Sequence, residues 1–88
     1  MSEPLIFIKS PNTITLSNHP IKLPFDLPTW GEVELAFVIK KTARHITISD
    51  AEDYILGYLL ANDITTENIE NRDHHLARSK SADGYCPI

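Results

Sequence analysis

The apolar positions fall into two strong runs separated by a polar connection. From Glu32 to Ile39 the chain reads EVELAFVI, and from Tyr58 to Thr65 it reads YLLANDIT. Runs of this length, rich in branched and aromatic residues and bounded by Gly31 and by turn-prone Asn-Asp, predict strands. Leu35 to Ile39 read as buried. The intervening SDAEDYILGY carries a helix signal: Ser49 as cap with Glu52 three residues on, Ala51, Tyr54 and Ile55 at helical spacing, and Gly57 as the stop.

Five of the six prolines (Pro4, Pro11, Pro20, Pro24, Pro28) lie in the first 28 residues, so no helix of useful length fits there. The apolar pieces between them, LIFIK (5–9), TITL (13–16) and IKL (21–23), predict short strands or extended segments, with SNHP as a turn and PFDLPTWG as a loop. KTARHITI is a connection with room for a second short strand, TENIENRDHHLAR a short helix or loop, and SKSADGYCPI a loop plus edge. The expected fold is mixed α+β, β-rich, with one or two short helices.

The length of 88 residues suits a single domain, 1–88, with a small core. A net charge of −4, with only eight Lys and Arg and no block of them, argues against a nucleic-acid partner. The single cysteine, Cys86, excludes an intramolecular disulfide. The apolar stretch near the N-terminus is too short for a signal peptide or a membrane span. The expectation is a cytoplasmic protein with no membrane partner.

The chemistry begins with Glu32 and Glu34. Two positions apart on a strand, they share a face, while Val33 points the other way. Asp63 ends the second strong run, and if the two strands are neighbours the three carboxylates converge. An unpaired carboxylate is costly to bury, and several together repel. An all-oxygen set suits a hard divalent ion, Mg²⁺ first, with Mn²⁺ or Ca²⁺ as alternatives. The competing reading is a half-exposed strand with both Glu side chains in solvent or paired with Lys40, Lys41 or Arg44.

The order of motifs adds a resemblance. PLIFIKSPNTI resembles the P-x-x-F-x-K-x-P entry strand of the fumarylacetoacetate hydrolase family. GEVELAFVIKKTARHITISDAEDYILGYLLANDIT is similar to that family's central stretch, with E-x-E-L opening a strand and G-Y-x-x-x-N-D following the helix. RSKSADGYCPI resembles its K-S-F-D-x-F-C-P segment. The resemblance covers nearly the whole chain and implies a partial β-roll or sandwich. It implies a divalent ion, usually Mg²⁺, on Glu32, Glu34 and Asp63, with Lys80 lining the active site. The substrates implied are β-dicarbonyl or 2-oxo acids, of the acylpyruvate, fumarylacetoacetate or oxaloacetate class. The reactions are hydrolytic C–C cleavage, decarboxylation, isomerisation and hydration.

Local departures bear on the pocket: Lys40 stands where the family often has Gly, Thr66-Glu67-Asn68 where it often has Ala-Arg-Asp, and Ala82 where an aromatic is usual. The family's upstream lid, with its water-activating His–Glu pair, and its downstream half are expected to be absent from the chain. Two functions follow as expectations: a metal-dependent hydrolase or decarboxylase of small oxo acids, or a catalytically incompetent module with a structural or partner-binding role. Open sheet edges predict a homodimer or higher oligomer. His74–His75 reads as a solvated loop, His19 and His45 as surface, Cys86 as a small hydrophobe, Trp30 and Phe25 as packing residues, and Asp83 as a turn residue or Lys partner.

Overall fold

The computed structural model describes residues 3–88. Its dominant feature is an antiparallel hairpin. In chain order the elements are β1 (Ile14–Thr15), β2 (Thr29–Trp30), β3 (Val33–Ile39), β4 (Ile55–Asn62), β5 (Thr65–Thr66), the single-turn helix α1 (Ala77–Lys80) and β6 (Cys86–Pro87). β3 and β4 pair from Val33 opposite Asn62 to Val38 opposite Gly57, and a bulge then sets Ile39 against Ile55. β1 pairs parallel with β6, and β2 antiparallel with β5. The mixed, β-rich architecture agrees with the reading of the sequence.

The radius of gyration is 15.0 Å, against about 12 Å for a compact chain of this length. The excess comes from the hairpin, which is largely uncovered. Val33, Leu35 and Phe37 on β3 face the same way as Leu60 and Tyr58 on β4, and all are exposed, Leu35 at 74%. Phe37 and Tyr58 meet edge to face. The expectation that Leu35 to Ile39 are buried is therefore corrected. Both strands have the apolar character of a core, but no third layer lies over them among the described residues.

The helix expected after Ser49 is also corrected. Residues Ile48–Tyr54 form a 3-10 segment whose N-cap is Thr47, with no side-chain capping bond. β4 begins at Ile55, and Gly57 lies inside it opposite Val38. Cross-strand pairing of Ile55 with Ile39 and of Gly57 with Val38 outweighs a weak local helix preference. Of the short apolar pieces near the N-terminus, only Ile14–Thr15 pairs as a strand; 5–9 and 21–23 do not, and 40–47 holds no second strand. The PFDLPTWG loop ends in β2, and TENIENRDHHLAR contains a 3-10 turn (Ile69–Asn71) and the start of α1.

The buried centre is small and mostly polar. Tyr85 is fully buried and Ile64 nearly so, surrounded by Thr13, Thr65, Thr66, Ser79 and Lys80. The Tyr85 hydroxyl shares a hydrogen bond with Thr66 Oγ1, and Ile64 N–H donates to the Tyr85 carbonyl at 3.0 Å. This knot ties the β4–β5 corner to the C-terminal segment and so places Asp63 beside Lys80.

Candidate active site

The site forms where the mouth of the hairpin meets the central knot. Asp63 N–H donates to the Glu32 carbonyl at 2.8 Å, continuing the ladder one step past β4. Asn62 Oδ1 accepts from Glu32 N–H at 3.0 Å and fixes that strand end. Gly31 leaves room for that contact: a Cβ on it would lie 2.7 Å from Asn62 Oδ1 and displace the side chain. Glu32, Glu34 and Asp63 each offer a carboxylate oxygen, and these lie within 4.8 Å of one another. Asp63 is buried, Glu32 is half-buried and Glu34 is exposed.

Lys80 reaches into this cluster from α1. Its Nζ donates to Asp63 Oδ2 at 2.8 Å, to Thr65 Oγ1 at 2.8 Å and to Glu32 Oε2 at 3.2 Å. All three ammonium protons are thus directed. The Phe7 ring lies under the charge, 4.6 Å from Nζ. On the far side of Asp63, Lys9 Nζ donates to Oδ1 at 2.6 Å and to the Ile64 carbonyl at 3.0 Å. Trp30 Nε1 donates to Glu32 Oε1 at 3.1 Å.

The titrations follow from these contacts. Burial works to raise the Asp63 pKa, but hydrogen bonds and charge from Lys80 and Lys9 outweigh it and hold the carboxyl below the ordinary Asp range. Burial works to lower the Lys80 pKa, but Asp63 and then Glu32 outweigh it, so the ammonium is held above the ordinary Lys range. Lys80 is therefore a fixed positive charge and a donor, not a base. Burial raises the Cys86 thiol, which leaves it protonated near neutral pH and a poor nucleophile.

The structure brings together all four residues singled out from the sequence, Glu32, Glu34, Asp63 and Lys80. It does not pair Lys40, Lys41 or Arg44 with either Glu; the cation at Glu32 is Lys80. His74 and His75 are exposed and away from the acids. Asp83 accepts from Asn12 Nδ2 at 2.8 Å and has no Lys partner among the described residues. Sequence reasoning missed Lys9, Thr65 and Trp30 as members of the cluster. The available signals for the first were a lone Lys closing the apolar piece LIFIK and its place as the K of the P-x-x-F-x-K-x-P motif.

The donor set fits a hard divalent ion. It is all oxygen, each oxygen of Glu32 and Asp63 accepts one side-chain hydrogen bond and keeps a second lone pair, and Glu34 is exposed with no hydrogen bond among the described residues. The three acids and two lysines together carry a formal charge of −1.

Fold and site together define a class of proteins, and comparison with known sequences and structures agrees. The model of the fumarylacetoacetate hydrolase C-terminal domain matches residues 1–88, and this chain belongs to that family. The chain is 40% identical over 88 residues to the 4-hydroxyphenylacetate degradation bifunctional isomerase/decarboxylase of Escherichia coli, covering 98% of this chain and 20% of the relative. It is 36% identical over 87 residues to the oxaloacetate tautomerase YisK of Bacillus subtilis, covering 97% and 29%. Among solved structures, the 5-carboxymethyl-2-hydroxymuconate delta-isomerase of Mycobacterium smegmatis superposes with a TM-score of 0.90 at 35% identity, covering 99% of this chain and 35% of that one. The chain thus spans between 20% and 42% of the length of the first curated relatives it matches. Among the described residues, no helix is long and apolar enough to cross a membrane.

Proposed function

We propose that this chain carries the metal-holding and charge-stabilising wall of an active site for small oxo acids, of the β-dicarbonyl or 2-oxo acid class. The reaction would be a hydrolysis, decarboxylation or tautomerisation that passes through an enolate. Glu32, Glu34 and Asp63 would hold the ion, with Mg²⁺ preferred and Mn²⁺ or Ca²⁺ as substitutes. When bound, the ion supplies positive charge that polarises a carbonyl oxygen.

The observation that carries this reading is the position of Lys80. An ammonium almost sealed from solvent lies within hydrogen-bond reach of two of three converging carboxylates. Placing that charge here requires a compensating set of acids and stabilises negative charge developing beside it. Its contacts to Asp63 and Thr65 are the short ones. The bond to the half-exposed Glu32 is longer, so that proton is the one most readily turned to an oxo-acid oxygen. Lys9, by holding the outer oxygen of Asp63, keeps the carboxylate plane fixed while Lys80 makes that exchange. The relatives named as isomerase/decarboxylase and tautomerase support a small oxo acid as the ligand class.

The test is calorimetric titration of Mg²⁺ and Mn²⁺ into the chain and into Glu34→Gln. Glu34 is exposed, so the substitution leaves the fold intact. Affinity should drop by roughly tenfold or more, and superimposable isotherms would refute the site.

The uncovered face of β3 and β4 favours a second reading beside the first, namely that the chain also associates through this face, in a homodimer or with a partner. Seven large apolar side chains on the two strands, Val33, Leu35, Phe37, Ile39, Leu56, Tyr58 and Leu60, are at least half exposed, which is unusual for an isolated domain.

A further inference from the structure

We propose that a second binding site, for a small anion bearing a carboxylate or phosphate group, lies between Arg72 and Arg78. A cavity of about 490 Å³ opens there, lined by Ile69, Arg72, Asp73 and Arg78. Its volume is within the usual range for small-molecule pockets. It is separate from the acid cluster. Arg78 and Lys80 are two positions apart on α1, roughly 200° around the helix axis, so the cavity and the Lys80 ammonium lie on different sides of that turn.

Three observations point to an anionic ligand. First, neither guanidinium has a carboxylate within ion-pair distance among the described residues. Two unpaired positive charges therefore face one cavity, in a chain whose net charge is −4. Second, Asp73 lines the cavity but is already committed. Its Oδ1 accepts from Ala77 N–H at 3.0 Å and its Oδ2 from Ser79 N–H at 2.8 Å. Both oxygens are turned to the amides at the start of α1, and neither arginine pairs with Asp73 among the described residues.

Third, the frame is fixed. Asn68 brackets Asp73 from both sides, with Oδ1 accepting from Asp73 N–H and Nδ2 donating to the Asp73 carbonyl. The Arg78 guanidinium is stacked over Phe25 at 5.7 Å, so part of the entropy of ordering it is already lost before a ligand arrives. A planar guanidinium held in this way is suited to bidentate recognition of a carboxylate or phosphate. Ile69 supplies an apolar wall for the body of an organic anion. Charge alone does not distinguish the two head groups, so both are tested.

The experiment is amide-shift mapping of the ¹⁵N-labelled chain with sodium phosphate and, separately, sodium succinate, with chloride held constant. The expected result is saturable shifts at residues 69–78 with one anion or both. Saturation by phosphate alone assigns a phosphate-type ligand, and by succinate alone a carboxylate ligand. In Arg72→Gln and in Arg78→Gln the affinity should drop by roughly tenfold, with the remaining amide spectrum unchanged. No saturable shift with either anion up to about 20 mM, or equal saturation in both variants, overturns the proposal. Mg²⁺ titrated into the same variants monitors the acid cluster independently, so failure at one site is distinguishable from failure at the other.

Discussion

Replacing Lys80 with Met removes the ammonium while keeping most of the side-chain volume. Three hydrogen bonds are lost, two of them to carboxylates. Breaking a buried ion pair by removing one partner costs about 3–5 kcal/mol when the remaining charge is left without compensation. Here Asp63 keeps Lys9 at 2.6 Å, so the expected loss is smaller, about 2–3 kcal/mol. With a urea m-value of about 1.2 kcal/mol/M for a chain this small, the midpoint should drop by roughly 2 M. Trp30, the only tryptophan, donates to Glu32 and so reports on the site by fluorescence during the titration.

The reasoning becomes sharper in Lys9→Met/Lys80→Met. With both cations gone, the buried Asp63 carboxylate has only burial acting on it, which raises its pKa above the ordinary value of 3.8. The sign of the pH dependence then reverses. In the natural chain the lowered Asp63 pKa contributes stability above about 3.8, lost as pH falls through the folded-state value. In the double variant the contribution is present below 3.8 and lost as pH rises through the raised value. The double variant should therefore gain stability on acidification in the range where the natural chain loses it. A midpoint change under about 0.5 M in Lys80→Met, or a double variant that loses stability on acidification as the natural chain does, would refute the electrostatic account of the cluster.

Gly31→Ala pushes Asn62 off the Glu32 amide; it should cost about 1 kcal/mol of stability and weaken Mg²⁺ binding in the calorimeter more than it lowers the urea midpoint. Asp73 is held below the ordinary Asp range: burial opposes its charge, but the amide and hydroxyl of Ser79 and the amides of Ala77 and Arg78 outweigh it. Asp73→Asn should therefore lose affinity for those amides and flatten the acid limb of stability against pH between about 4 and the folded-state value. Leu35→Lys on the uncovered hairpin face should shift sedimentation toward monomer, and an unchanged distribution would exclude that face from self-association.

The two hairpin strands were legible because their apolar runs are long and bounded by Gly31 and Asn62-Asp63. Glu32, Glu34 and Asp63 were legible for a different reason: same-face spacing made them candidates, a half-exposed strand with both Glu in solvent stayed open, and the order of motifs then favoured the converging set. The segment after Ser49 misled because its local signals, a cap and helical spacing, are weak and were overridden by pairing with β3. The burial of Leu35 to Ile39 misled because hydrophobicity says that a side chain is suited to being covered, not what in the chain covers it.

By itself, then, the sequence determined the family and the β-rich class, and it named the candidate acids and the candidate lysine. Only the tertiary structure decided how their charges are balanced. Lys80 arrives from a one-turn helix after the hairpin and Lys9 from an extended segment before it, and both end on Asp63. Those contacts span 17 and 54 positions in sequence. No local pattern encodes a pairing of that kind; it exists because the buried Tyr85–Thr66 knot closes the chain around the hairpin mouth, and the cost of burying Asp63 then selects the ammonium groups within reach.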